Sequence, residues 1–166
     1  MMTSVSTETI VTQLVRVLRE AFEGPPGPWS YFTDKDSQAG VFGTIDRLSA
    51  AEASRKIGSS ATTIAGHVQH LLASLAISIR WIRGELVARD RDQSWTAGDL
   101  DEAGWSALRA SLRREYASLV TAIQSQGTWT EDTIGGAVGA IAHVAYHLGA
   151  IRQRLAISGT TPPGRS

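Results

Sequence analysis

The 166-residue sequence contains no cysteine, which removes disulfides, thiolate metal sites and cysteine nucleophiles in any compartment. Thiol chemistry would need a thiol brought from outside. Charge of one sign is also lacking: 16 Lys and Arg face 16 Asp and Glu. Without a net field there is little to draw in a polyanion or an acidic membrane surface, so neither nucleic acid nor membrane is expected as a partner. No segment alternates like a strand, no repeat is visible, and no apolar run approaches the ~20 residues that span a bilayer. The first nine residues are polar and lack the basic region of a secretion signal, so the expected location is cytoplasmic.

What is present is helical periodicity. Ile10, Leu14, Leu18 and Phe22 recur at helical spacing, with Val11, Val15 and Ala21 widening the stripe, and predict a first helix over residues 6–23. Gly24-Pro25-Pro26-Gly27-Pro28 stops it, because proline removes amide donors and biases the preceding residue away from the helical region. Residues 24–59 then form a long connection, with Trp29, Tyr31 and Phe32, a polar stretch, Gly40-Val41-Phe42-Gly43 and a short helical patch at 49–56. A connection of that length inside a compact domain is usually functional or crosses a bundle from end to end.

A second helix is predicted from an N-cap at Ser59 or Ser60 to residue 89, along Ile64, Val68, Leu71, Leu75, Ile79, Ile82 and Leu86, and is closed by Asp90-Arg91-Asp92. A third spans 101–126 on Trp105, Leu108, Leu112, Tyr116, Leu119 and Ile123, with Gly127 as its stop. The fourth runs from Thr130 to 158, with Glu131 and Asp132 at the positive end of its dipole and Arg152 and Arg154 near the negative end. The expected architecture is all-α, a four-helix bundle with a long crossover between its first two helices. Residues 1–158 make one domain with one core, and 159–166 a polar, disordered tail.

All four histidines fall in two stretches: Gly66-His67-Val68-Gln69-His70 on the second predicted helix and His143-Val144-Ala145-Tyr146-His147 on the fourth. Side chains four apart on a helix share a face, so His143 and His147 can aim at one point. A third nitrogen can come from His70 or His67 if the two helices are neighbours. Three imidazoles suit Zn²⁺, Ni²⁺, Fe²⁺ or Cu²⁺ and leave coordination positions open. The same spacing also suits histidines at the edge of a core face, since Ile141, Val144, Leu148, Ile151 and Leu155 form the apolar arc, with His147 at its flank and His143 further round. Gly136, Gly139, Ala140 and Ala150 share the histidine side, which permits either close helix approach or a cavity.

The run from Thr63-Ile64-Ala65-Gly66-His67 to His70-Leu71-Leu72, with His143-Val144-Ala145-Tyr146-His147-Leu148-Gly149-Ala150-Ile151 far downstream, resembles the DinB/YfiT-like superfamily. The resemblance extends from the first predicted helix to the fourth, and its most specific part is His-x-x-x-His-x-Gly-x-Ile in the last helix. It implies a four-helix bundle with a long crossover, a homodimer, and a divalent metal, zinc, nickel or iron, on three histidines. Aligned on Thr63-Ile64, the ligands are His70, His143 and His147. His67 becomes an extra histidine one turn earlier, with a supporting or substrate-facing place, and remains the alternative third ligand.

Relatives of this kind include thiol transferases that use bacillithiol or mycothiol, so the resemblance implies a metal that activates a low-molecular-weight thiol toward a small-molecule substrate. Two positions depart from the pattern. Ala150 stands where many relatives have Gln, and His143 stands where mycothiol-dependent maleylpyruvate isomerases have Glu, so isomerase activity is not carried over. Two other functions fit the residues. One is a hydrolase using metal-bound water, for which Asp34, Asp36 or Asp46 on the long connection would have to supply a base. The other is a non-catalytic dimeric helical module.

Overall fold

The computed structural model describes residues 5–58, 62–85, 87–88 and 98–159. Among these, six helices and no strand are found: α1 (Thr7–Glu23), α2 (Val41–Ile45), α3 (Ala50–Ala53), α4 (Ile64–Ile82), α5 (Glu102–Gln124) and α6 (Glu131–Ile157). The protein is all-α.

Local chemistry sets the ends of the long helices. Ser6, Thr63, Asp101 and Thr130 each accept a hydrogen bond from a backbone N–H of the first turn, satisfying donors that have no partner inside the helix. The expected start of the second helix at Ser59 or Ser60 lies outside the described residues, and the helix itself begins at Ile64 behind the Thr63 cap. Its end is also earlier than residue 89. Gly84 adopts φ +81, a left-handed turn that breaks the helix, and the Gln126 amide donates to the freed Ile82 carbonyl at 2.6 Å. Leu86, Arg89 and the Asp90-Arg91-Asp92 stop lie outside the described residues, as do 160–166 of the expected tail. α5 closes at Ser125, two residues before the expected Gly127.

The four long helices share one core. α4 packs against α5 and α6, and α1 packs against the same two helices from the other side. Leu18, Phe22, Leu71, Leu75, Leu112, Leu119, Ile123, Val144 and Ile151 are buried in it. α4 and α6 run antiparallel, since Ile82 lies beside Gly136 while His67 lies beside Arg154. A Cβ on Gly136 would sit 3.6 Å from that of Trp81, an ordinary packing distance. The side-by-side packing of α4 and α6 brings the two histidine stretches together.

The 24–63 connection is more structured than its composition suggests. Gly40 comes so close to the end of α1 that a Cβ there would lie 2.5 Å from the Gly24 amide nitrogen. The return of the chain buries Val41, Phe42 and Ile45, and Phe42 joins Phe22 and Tyr116 in an aromatic cluster with ring centroids 4.6 to 5.3 Å apart. The predicted patch at 49–56 is one turn, α3, closed by a capping box between Ser49 and Glu52. Trp105, fully buried on α5, donates its indole N–H to the Leu48 carbonyl at 2.8 Å, tying the connection to the core.

α6 departs from one expectation. Over an 18-residue window its mean hydropathy reaches 1.4, long and apolar enough to cross a membrane by length and composition, although the sequence shows no continuous apolar run of that length. The value comes from alanines, isoleucines and valines dispersed among glycines and histidines. Its Ala137, Ala140, Val144, Leu148, Ile151 and Leu155 are buried against the other helices.

Candidate metal centre

The antiparallel pairing of α4 and α6 puts His70 opposite His143 and His67 opposite His147. His143 and His147, one helical turn apart, point their Nε2 atoms to within 3.0 Å of each other, and Nε2 of His70 lies 3.2 Å from Nε2 of His143. His70, His143 and His147 are thereby a group able to hold a metal ion, each offering one nitrogen within 4.8 Å of the others. A tetrahedral ion with ~2.1 Å bonds separates its nitrogen ligands by roughly 3.4 Å. The His70–His143 and His143–His147 pairs are within a few tenths of an ångström of that spacing. The donor set, three imidazoles with no protein thiolate, fits a divalent transition metal.

His67 is not in that group. Its Nδ1 lies 2.9 Å from Nδ1 of His147, the ring nitrogen of His147 other than the one 3.0 Å from His143. Its Nε2 accepts a hydrogen bond from Nε of Arg154 at 3.2 Å. His67 therefore packs against the ring nitrogen of His147 that does not face His143, and its contacts fix the orientation of that ring.

The two inner rings are buried, His147 almost completely and His67 at 6% exposure. Burial, then the neighbouring His143, His67 and His70, lowers the His147 pKa to about 3. Burial, followed by the charge of Arg154 and by His70, lowers that of His67 to about 4. Both rings are neutral at pH 7, as metal ligation and its hydrogen-bonded support require. His70 and His143 are half-buried, so the open positions of an ion would lie on their, more exposed, side of the cluster. Of the small residues on the histidine side of α6, Gly136 is at ordinary packing distance from Trp81 and Gly139 is exposed, with no atom within 4 Å of a Cβ built on it.

Three neighbours carry no obvious signal in the sequence. Ser74, four residues after His70, brings its Oγ to 3.4 Å from His70 Nε2. Tyr146 sets its ring edge against His147, centroids 5.1 Å apart, and is 70% exposed. Arg154 lies seven residues after His147, two turns along the same face. Helical spacing from each histidine was the available signal for Ser74 and Arg154.

The long connection does not supply the groups anticipated from it. Asp34 pairs with Arg152 of α6, the Asp36 carboxylate accepts from the Gln38 amide at 2.8 Å, and Asp46 pairs with Arg113 and Arg109 of α5. All three carboxylates are engaged away from the histidines. Trp29, Tyr31 and Phe32 are exposed, so they do not pack in the core. Trp29 and Tyr31 meet edge to face, and Arg16 of α1 lies 5.5 Å from each ring centroid. Phe32 lines an apolar groove of about 560 Å³ between α1 and α6 with Ile10, Leu14, Val138 and Ile141.

The loop carrying these aromatics is held by a residue that periodicity assigns only to a helix face. Glu20 is 2% exposed, and its carboxylate accepts from the amides of Tyr31, Phe32 and Thr33 at 2.9 to 3.1 Å and from the hydroxyls of Ser30 and Thr33. Burial acts to raise its pKa, but these donors outweigh it and bring the value down to about 2.

Comparison of the chain with models of known families, with curated proteins and with solved structures finds no match in any of the three.

Proposed function

We propose that the protein is a metal-dependent enzyme of the DinB-like kind, a four-helix bundle with a 24–63 crossover. In it His70, His143 and His147 hold one divalent ion that activates a low-molecular-weight thiol for transfer to a small-molecule electrophile. The observation that carries this reading is the convergence of three imidazoles from α4 and α6 on one point. Such a set leaves coordination positions for an outside ligand, and a bound cation favours the deprotonated form of a thiol. In the transfer the thiol loses its proton to solvent, sulfur forms a bond to the electrophilic carbon, and the leaving group departs with its electron pair. The chain has no cysteine, so the sulfur comes from a free thiol such as mycothiol or bacillithiol.

The hydrolytic alternative is less well supported, because Asp34, Asp36 and Asp46 are engaged elsewhere. A homodimer fits the exposed apolar groove between α1 and α6, and a cytoplasmic location fits the use of such thiols. Metal analysis of protein purified without a His tag tests the centre. The expected result is one ion per chain, lost in His143→Ala and His147→Ala. A chain that takes up no zinc, nickel or iron at micromolar concentration would leave a non-catalytic helical module. S-adduct formation with an electrophile panel, set against esterase and amidase turnover, tests the chemistry. Loaded protein inert with every thiol offered but active in hydrolysis would reverse the order of the two enzymatic readings.

A further inference from the structure

The contacts that hold His147 in place also give its hydrogen bonds a direction. A guanidinium can only donate, and Nε of Arg154 donates to Nε2 of His67. With that nitrogen accepting, the single proton of the neutral His67 ring lies on Nδ1, 2.9 Å from Nδ1 of His147. His147 then accepts there, and its own proton lies on Nε2, facing Nε2 of His143 at 3.0 Å. This is the nitrogen that would bind the ion, and a ligating nitrogen must present a lone pair. An incoming ion thus requires the proton of His147 on Nδ1, where it becomes the donor to His67. His67 must then accept on Nδ1 and carry its proton on Nε2, directly against the N–H of Arg154. Two donors face each other, and the long, flexible arginine is the group able to move.

We propose that Arg154 is a positioning residue that sets the metal affinity of the three-histidine centre. The sequence of bonds from Arg154 to His67 to His147 holds the metal-free site with His147 in its non-ligating tautomer, and metal binding reverses the direction and drives Arg154 off His67. This rests on the reading of His70, His143 and His147 as a metal centre. Each ring keeps one proton throughout. One passes from His67 Nδ1 to His147 Nδ1, the Nε2 proton of His147 goes to solvent, and solvent returns one to His67 Nε2.

The test is a zinc titration of the metal-stripped full chain as wild type, Arg154→Met and Arg154→Lys, together with nitrogen-15 spectra of the histidines in the wild type. A hydrogen bond to a charged group is given up when zinc binds the wild type, so Arg154→Met is expected to bind zinc on the order of ten to a hundred times more tightly. Arg154→Lys, which keeps a donor, should stay close to wild type. Zinc-free spectra should show His147 protonated on Nε2 and His67 on Nδ1, both exchanging to the other nitrogen with zinc. Equal affinity in wild type and Arg154→Met, or His147 already protonated on Nδ1 without zinc, overturns the role of Arg154 while leaving the metal centre intact. Failure of both wild type and Arg154→Met to take up zinc overturns the centre and the proposal with it. Should Arg154→Met not fold, the wild-type spectra still decide.

Discussion

Replacing Glu20 by Gln removes the charge around which residues 30–33 are wrapped while keeping the size of the side chain. The carboxyl is lowered from 4.5 to about 2 in the folded protein, and at ~1.36 kcal/mol per pH unit this shift corresponds to roughly 3 kcal/mol of stability at pH 7. Because the folded value lies below the unfolded one, the contribution is full above about 4.5 and is lost as pH falls through about 2. At pH 3.5 roughly 2 kcal/mol should remain. An amide can still accept through its oxygen, but its NH₂ would face the N–H groups of Tyr31, Phe32 and Thr33, so nothing in the pocket offsets the lost charge. Urea unfolding of metal-stripped wild type and Glu20→Gln at pH 7 and pH 3.5 reads both numbers. Amide hydrogen exchange at Tyr31, Phe32 and Thr33 should speed up in the variant. A stability difference below about 0.5 kcal/mol at pH 7, or one that does not shrink on acidification, would refute the assignment of loop anchoring to the Glu20 charge.

Other consequences concern the connection and the buried histidines. Gly40→Ala places a methyl group 2.5 Å from the Gly24 amide nitrogen and 2.6 Å from the Phe22 carbonyl. Backbone cannot yield as a side chain does, so a loss of at least about 1–3 kcal/mol is expected, read as a lowered melting temperature; an unchanged one would contradict the close approach. His67 and His147 have folded pKa values of about 4 and about 3, below the ordinary 6.5. The unfolded chain therefore binds more protons, and stability falls as pH drops from about 6.5 through those values. The loss for metal-free protein should be about 2 kcal/mol per ring by pH 5, and a urea midpoint that stays flat between pH 7 and pH 5 would show that the rings are not buried neutral.

α1, α5 and α6 could be read closely from the sequence because their signals are local. Ser6, Asp101 and Thr130 are good caps ahead of regular apolar spacing, and cap and period agree. α4 differs from its sequence pattern at both ends for the complementary reason. Ser59, Ser60 and Thr63 are all competent caps, and which one is used depends on where the chain arrives after α3. Leu86 continues the apolar period, but the Gly84 turn and the Gln126 amide on the Ile82 carbonyl end the helix first. α2 is not legible in the sequence, where it is a short stretch inside the long connection; Gly40 and Gly43 are the points where the returning chain touches the residues around it.

The sequence by itself determined the helical class, the two histidine stretches that could share an ion, and the absence of a protein thiol. These follow from residue type and from the 3.6-residue period, which act over a few residues. Only the tertiary structure groups His70, rather than His67, with His143 and His147, because that grouping turns on how far α4 and α6 slide along each other. It likewise decided that Asp34 and Asp46 pair with arginines far along the chain and that Glu20 gathers a loop about itself. A charge on a helix face looks the same in sequence whether water or three backbone amides lie over it, and only the packing of distant segments tells them apart.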